Sequence, residues 1–208
     1  MAKIKHTKNE LKAQREALHR YERFLPMLQL KKQQLQAEIQ SLTHAIAERE
    51  ARGRDISTGV ARWVKLLAEP VALEALVRLG EVRTTEGNIA GVMIPVLQEV
   101  RIETGECDLY TTPAWVDEAT EALAGLLRLR VEMEVLARQR HLISEELRTT
   151  SQRVNLFEKV KIPECRENIR VVRIFLGDEQ TAGVARGKIA KRRTETAEQS
   201  ADLGAEAA

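Results

Sequence analysis

Gly183-Val184-Ala185-Arg186-Gly187-Lys188-Ile189 places a lysine directly after two glycines, the kind of arrangement that cradles phosphate oxygens on backbone N–H groups. A phosphate loop needs four residues between its glycines, a Ser or Thr after the lysine, and a strand before it. This segment has three residues between the glycines, an isoleucine after the lysine, and helical sequence upstream. The imidazoles of His6, His19, His44 and His141 could ligate a metal, but no two stand at the i, i+4 spacing of a helical zinc pair, so solvated helix faces account for them. Cys107 and Cys165 lie far apart with no Cys-x-x-Cys spacing, which argues against a disulfide framework and makes a reducing compartment the default. Carboxylates are interleaved with Lys and Arg at helical spacing, where i, i+4 pairing explains them without acid–base catalysis. There is no Gly-x-Ser-x-Gly nucleophile. A non-catalytic chain with no catalytic, cofactor or metal site is expected.

What remains is the set of elements. The 208 residues are 43% hydrophobic and 31% charged, with seven aromatics: Tyr21, Phe24, Trp63, Tyr110, Trp115, Phe157 and Phe175. So few aromatics do not suit a thick globular core, whereas abundant Leu, Ile, Val and Ala among charges suit long helices that bury one stripe. A formal net charge of +2 gives no whole-molecule attraction to nucleic acid, and base-stacking aromatics are absent, so a nucleic-acid partner is not expected. No N-terminal apolar leader follows Lys3 and Lys5, and no apolar run reaches the ~20 residues of a membrane span, so a soluble intracellular chain without direct membrane insertion is expected.

The fold class is therefore mostly α. Thr7-Lys8-Asn9-Glu10 has capping-box spacing and opens a long helix. Alternating steps of four and three then select Leu11, Gln14, Leu18, Tyr21, Leu25, Leu28, Lys32, Leu35, Ile39, Leu42 and Ile46, a heptad seam. Pro26 predicts a kink near Phe24. The helix and its extension occupy 7–79, the later part carrying Trp63, Leu66, Leu67 and Leu76 and broken near Pro70. The insert at 80–112 changes period: Val92-Met93-Ile94-Pro95-Val96-Leu97 and Val100-Arg101-Ile102 read as two short strands of a β-hairpin, with Pro95 on an edge or at a bulge. A second long helix fills 113–190, with a seam of Leu126, Leu129, Met133, Leu136, Arg140, Ile143, Leu147, Thr150, Val154 and Phe157. Past Pro163 the stripe resumes one residue out of phase as Cys165, Ile169, Val172 and Leu176, which predicts a local break in the supercoil. Residues 191–208, rich in Ala, Glu and Thr, read as a disordered tail.

Two narrow stripes cover each other if the helices form a long antiparallel two-helix coiled coil, one elongated domain with the hairpin insert in its middle. Folding back at the insert predicts Leu42 opposite Val154 and Leu11 opposite Ala185. Lys3, Lys5, Lys8 and Lys12 would then lie beside Arg186, Lys188, Lys191, Arg192 and Arg193 as one basic tip. Trp63, Val92, Ile94 and Trp115 gather apolar surface where there is least helix to hide it, and are expected to form a partner surface.

Three stretches resemble a known family. They are Leu25-Pro26-Met27-Leu28-Gln29-Leu30-Lys31-Lys32-Gln33-Gln34-Leu35, then Asn88-Ile89-Ala90-Gly91-Val92-Met93-Ile94-Pro95-Val96-Leu97, then Arg153-Val154-Asn155-Leu156-Phe157-Glu158-Lys159-Val160-Lys161-Ile162-Pro163. The second resembles an Asn-Ile-x-Gly-Val-x-Val-Pro segment through Asn88, Gly91 and Pro95. The third resembles an Arg-Val-Asn-x-x-Glu-x-x-x-Ile-Pro signature through Arg153, Asn155, Glu158, Ile162 and Pro163. Both belong to the D subunit of V-type and A-type rotary ATPases and ATP synthases, and order and spacing match over roughly 7–180. The resemblance implies a central rotor axle that couples ATP synthesis or hydrolysis to proton or sodium translocation. It implies as partners the catalytic A and B subunits, the F subunit and the membrane-side rotor subunit (C or d type). The place implied is cytoplasmic, in the peripheral catalytic sector of the complex. On pattern alone, the alternative is a non-rotary antiparallel coiled-coil scaffold.

Overall fold

A computed structural model describes residues 4–62, 76–105, 113 and 115–206, and the side chains among them as far as Thr196. The elements are helix α1 (Lys8–Ala61), strands β1 (Val77–Ile89) and β2 (Val92–Thr104), helix α2 (Trp115–Leu156), a π-helical turn (Phe157–Lys161), and helix α3 (Ile162–Glu206). By contact density the chain forms two units, residues 28–152 and the pair of segments 1–27 with 153–208.

In the unit of residues 28–152, α1 and α2 bury Leu35, Leu42 and Ile143, and Ile94 of β2 completes the core with Ile39, Ile89, Val92, Leu136 and Leu147 packed around it. Two cross-helix ion pairs flank this core, Lys31 to Glu146 at 2.6 Å and Arg49 to Glu132 at 2.8 Å. The strands join through Ala90 and Gly91, with φ of 51° and 82°. Positive φ at both central residues is a type I′ turn, whose twist matches the flanking strands. Asn88 closes it by accepting the Gly91 N–H on Oδ1 at 2.9 Å. Alanine is a poor occupant of this conformation, since a Cβ there crowds the following carbonyl. Ala90→Asn should therefore stabilise the protein by about 0.5–1 kcal/mol, since Asn-Gly is the preferred pair in this turn. Urea unfolding would measure it, and an unchanged midpoint would count against the assigned turn strain.

Several sequence expectations change here. The two apolar runs are one strand, β2, and its partner is β1, which takes up Val77 and Leu79 from the expected helical extension because Val77 pairs with Thr104 and Leu79 with Ile102. Leu66, Leu67, Pro70, Tyr110 and Cys107 lie outside the described residues. The ladder slips between Arg83 and Thr84, where Gln98 is the extra residue, and again between Leu79 and Val82; Pro95 sits in register opposite Glu86 rather than at a bulge. A two-stranded sheet has only edge strands, so its missing N–H is tolerated there. α2 begins at Trp115, after Pro113 has accepted the Val116 N–H on its carbonyl.

In the other unit, α1 starts at Thr7, whose hydroxyl accepts the Glu10 N–H at 3.2 Å. The Glu10 carboxylate turns instead to the Gln14 amide at 2.8 Å, so only half of the reciprocal box forms. Pro26 lies inside α1, which continues past it as a single helix. Facing α1, the Ile162 N–H reaches back five residues to the Phe157 carbonyl, the bond that defines the π-turn. That turn holds one residue more than an α-turn. It is the physical form of the one-residue slip in the stripe: Val154, Ile162, Cys165 and Val172 are all buried although the four-and-three stepping breaks between them. α3 runs on to Glu206 in place of the expected disordered tail, because Ala, Glu, Lys, Arg and Gln are strong helix formers even without periodic apolar residues.

The register also differs from the sequence expectation. Leu42 shares its core with Ile143 and Leu136, not Val154. In the terminal unit His6 meets Phe175, Gln14 meets Asn168, and Tyr21 meets Phe157. By the His6 and Gln14 pairs, the position opposite Leu11 is near Arg170, about fifteen residues before Ala185. Paired residue numbers centre near Ala90-Gly91, as they do in the hairpin itself, where Ile89 faces Val92, whereas the expected pairing centres several residues later.

Candidate functional site

Both seams are where the helices meet. Leu35 and Leu42 of α1, Leu129, Ile143 and Val154 of α2, and Val172 of α3 are buried. Leu11, Leu18, Leu25, Leu28, Ile39, Ile46, Leu126, Met133, Leu136, Leu147, Phe157, Ile169 and Leu176 are half-buried. Arg140 is exposed, and the neighbouring Gln139 is buried in its place at 7%. Gln139 donates its side-chain amide to the Pro95 carbonyl, tying α2 to β2. A polar residue between two arginines carries no sequence signal of burial.

The motif residues fall into two groups. Asn88 and Gly91 build the turn, Pro95 supplies the carbonyl for Gln139, Ile162 is buried, and Pro163 follows the π-turn in the first turn of α3. These are structural roles. The side chains of Arg153, Asn155 and Glu158 are exposed and make no hydrogen bond or ion pair with other described residues, beside exposed Leu156 and Val160. They present their side chains outward.

The expected partner surface is corrected in part. Ile94 is 3% exposed and Val92 packs on the same core, so both hold the hairpin against the helices and neither is free for a partner. Strand alternation places Met93 on the opposite face, where it is exposed, and Leu79, Val82 and Val96 are exposed apolar residues elsewhere on the hairpin. Leu79, Val82 and Pro95 line an open groove with Val131, Val135 and His141 of α2. Trp115 is half-buried at the start of α2, and Trp63 lies outside the described residues.

No single basic tip forms among the described residues, which do not include Lys3. His6 is level with Phe175 and Gln14 with Asn168, so Lys5, Lys8 and Lys12 lie beside the first third of α3 and Arg186, Lys188, Lys191, Arg192 and Arg193 lie well beyond them. Residues 177–196 are exposed throughout, including Val184 at 61% and Ile189 at 54%. This is a helical overhang without a partner helix among the described residues. The phosphate-loop-like segment 183–189 lies inside it, so its glycines sit in regular helix rather than in a cradle.

Cys165 is 5% exposed in the seam. Burial pushes its thiol pKa up, the Glu164 carboxylate adds to this, and Lys161 opposes it. Only the thiolate is nucleophilic, so with Cys107 replaced by Ser, alkylation by iodoacetamide at pH 8 should be slower by about tenfold or more in the folded than in the urea-unfolded chain. Equal rates would show the seam open at this point. The described residues include no group of three or more His, Cys, Asp or Glu side chains placed to hold a metal, and no described helix is long and apolar enough to cross a membrane. The arrangement can bear load along paired helices and display an exposed helical end, an exposed motif face and exposed apolar residues on the hairpin.

Comparison with known proteins agrees in extent and order. The family of ATP synthase D subunits matches residues 10–192. A V-type ATP synthase D subunit from Borreliella burgdorferi is 43% identical over 191 residues, covering 92% of this chain and 95% of that protein. One from Chlamydia pneumoniae is 32% identical over 195 residues, with 92% and 93% covered, and one from Chlamydia muridarum is 33% identical, with 92% and 96% covered.

Proposed function

The chain belongs to the family of ATP synthase D subunits, and on that premise we propose how its parts divide the work of a central stalk. It is the central stalk subunit of a V-type rotary ATPase, coupling ATP synthesis or hydrolysis to ion translocation, and it assembles with the other subunits of that complex. The non-rotary scaffold is not favoured.

The finer assignments are our own. The subunit makes and breaks no bonds; it transmits torque. The overhang of α3 and the neighbouring helix pair stand inside the ring of catalytic A and B subunits. The observation that carries this is the overhang, twenty consecutive exposed residues of helix with no partner helix among the described residues, which suits a sleeve supplied by other subunits. The F subunit docks on the unit of residues 28–152, against the exposed hairpin residues Leu79, Val82, Met93 and Val96, and the membrane-side rotor subunit engages the same unit. The chain is peripheral, held at the membrane by its partners.

A shaft must not bind one ring position tightly, and the described outer surface is charged and carries ion pairs of its own, such as Arg52 to Glu48 and Arg170 to Glu167. Exposed pairs of this kind contribute little to stability and leave the surface well hydrated. An asymmetric shaft then changes which ring sites are open, coupling sites that are otherwise equivalent. The test is reconstitution. The isolated chain should hydrolyse no ATP, and adding it to the catalytic A and B subunits should change their turnover and support rotation. A ring whose turnover is unaffected by the chain would overturn the shaft assignment.

A further inference from the structure

The helix hydrogen-bond ladder has two defects in the unit formed by 1–27 and 153–208, and they face each other. On α1, Pro26 has no N–H to give the Glu22 carbonyl, and its ring crowds that carbonyl. On the facing strand of the pair, the π-turn of Phe157–Lys161 replaces i to i−4 bonds by longer-range ones, and Pro163 follows at once with a further missing donor. Tyr21 and Phe157 place the two at one level, their ring centroids 4.9 Å apart, and Glu22 reaches Arg166 across the pair at 2.8 Å.

We propose that this level is a torsional joint, a short section of the helix pair that twists more easily than the helix on either side of it. The proposal rests on the shaft reading above. Twisting a helix pair strains the ladders of both helices, and elsewhere either ladder can resist alone. Here neither is complete. The ring pair and the exposed ion pair at this level, weak in water, add little torsional resistance to the apolar packing of the buried Val154, Ile162 and Cys165. The π-turn by itself would follow from the one-residue slip of the stripe. Pro26 does not, because the α1 seam keeps its four-and-three stepping straight through it, and a helix former at that exposed position would serve packing equally well.

Two repaired variants of the full chain test this. Pro26→Ala restores one ladder without altering any register. Deleting exposed Val160 together with Pro163→Ala removes the extra residue and returns the later stripe to four-and-three stepping. In the wild-type chain, amide hydrogen exchange at residues 27–30 and 158–162 should be at least about tenfold faster than at 10–20 and 168–176, and each repair should slow its own segment towards its flanks. In the reconstituted rotary complex, angular fluctuation of a probe on the stalled shaft should narrow with either repair. Uniform exchange along the wild-type helices would overturn the joint, as would an unchanged angular spread in repaired complexes that still rotate. Wild-type complexes that do not rotate would overturn the shaft reading instead, and the exchange pattern of the free chain would still report the weak ladder.

Discussion

Leu35→Asp combined with Leu42→Asp should abolish cooperative folding of the unit of residues 28–152 and, with it, all coupling in the assembled complex. Leu35 is 0% exposed and Leu42 is 6%, and both share one cluster with Ile94 and Ile143. Each truncation to a smaller side chain costs about 2–5 kcal/mol in lost transfer and cavity terms, before the cost of placing a carboxylate among aliphatic groups. Two such changes consume the typical total stability of about 5–15 kcal/mol. The hairpin would lose its seat as well, since Ile94, Val92 and Ile89 pack in the same cluster as these leucines. The control is Leu30→Asp with Met93→Asp, two residues 56% and 55% exposed in the same unit, where the change should stay within about 0.5 kcal/mol each. Circular dichroism melts read both pairs, and ATP-driven rotation reads the Leu35/Leu42 pair alone, because Met93 belongs to the proposed F-subunit surface. A wild-type melt for the Leu35/Leu42 variant would mean that the cluster is not the core.

Truncation after Leu176 should separate folding from function in the opposite sense. Residues 177–196 are exposed throughout and Leu176 is the last seam residue, so the melting midpoint should not move, while helical content falls by the length removed. If the overhang is gripped by the catalytic ring, coupling should drop by about 5–150-fold, the range for losing a site-to-site coupling of about 1–3 kcal/mol. A milder variant replaces Arg186, Lys188, Lys191, Arg192 and Arg193 by Gln. It keeps the helix and should reduce the salt sensitivity of assembly, since screening acts on charges that are now gone. Full coupling by the truncated chain would place the grip elsewhere.

Much of this molecule is legible from residue spacing. The four-and-three stepping that picks Leu35, Leu42, Ile143, Val154 and Val172 finds buried residues because a helix pair has only one way to hide a narrow stripe. The slip past Pro163 is visible as a change of phase, although spacing alone does not say whether a break, a kink or a π-turn takes it up. The register is harder. It depends on the centre of the reversal, near residues 90–91 by number, and the hairpin turn found there is a weak signal because Ala seldom takes positive φ; Asn88, which caps the turn, stands two residues too early to read as Asn-Gly. Misplacing the reversal by a few residues moves each helix partner by twice as many, which is how spacing pairs Leu42 with Val154. The surface roles are less legible still, for the same reason that strands are two-sided: a shift of one residue turns Ile94 inward and Met93 outward. Gln139 escapes a sequence reading because its burial is decided by a carbonyl on another element, that of Pro95, and nothing local announces it.

The widened turn at Phe157–Lys161 also bears on how this chain can change over evolutionary time. Inserting or deleting one residue in a regular helix rotates everything beyond it by about 100°, which would carry Ile169, Val172 and Leu176 off their stripe. A π-turn is such an insertion already absorbed, with the residues on both sides left in place. Single-residue length variation among descendants of this sequence should therefore gather between Phe157 and Pro163, and changes elsewhere in α2 or α3 should come in steps of three, four or seven, the lengths that return a stripe to its own face.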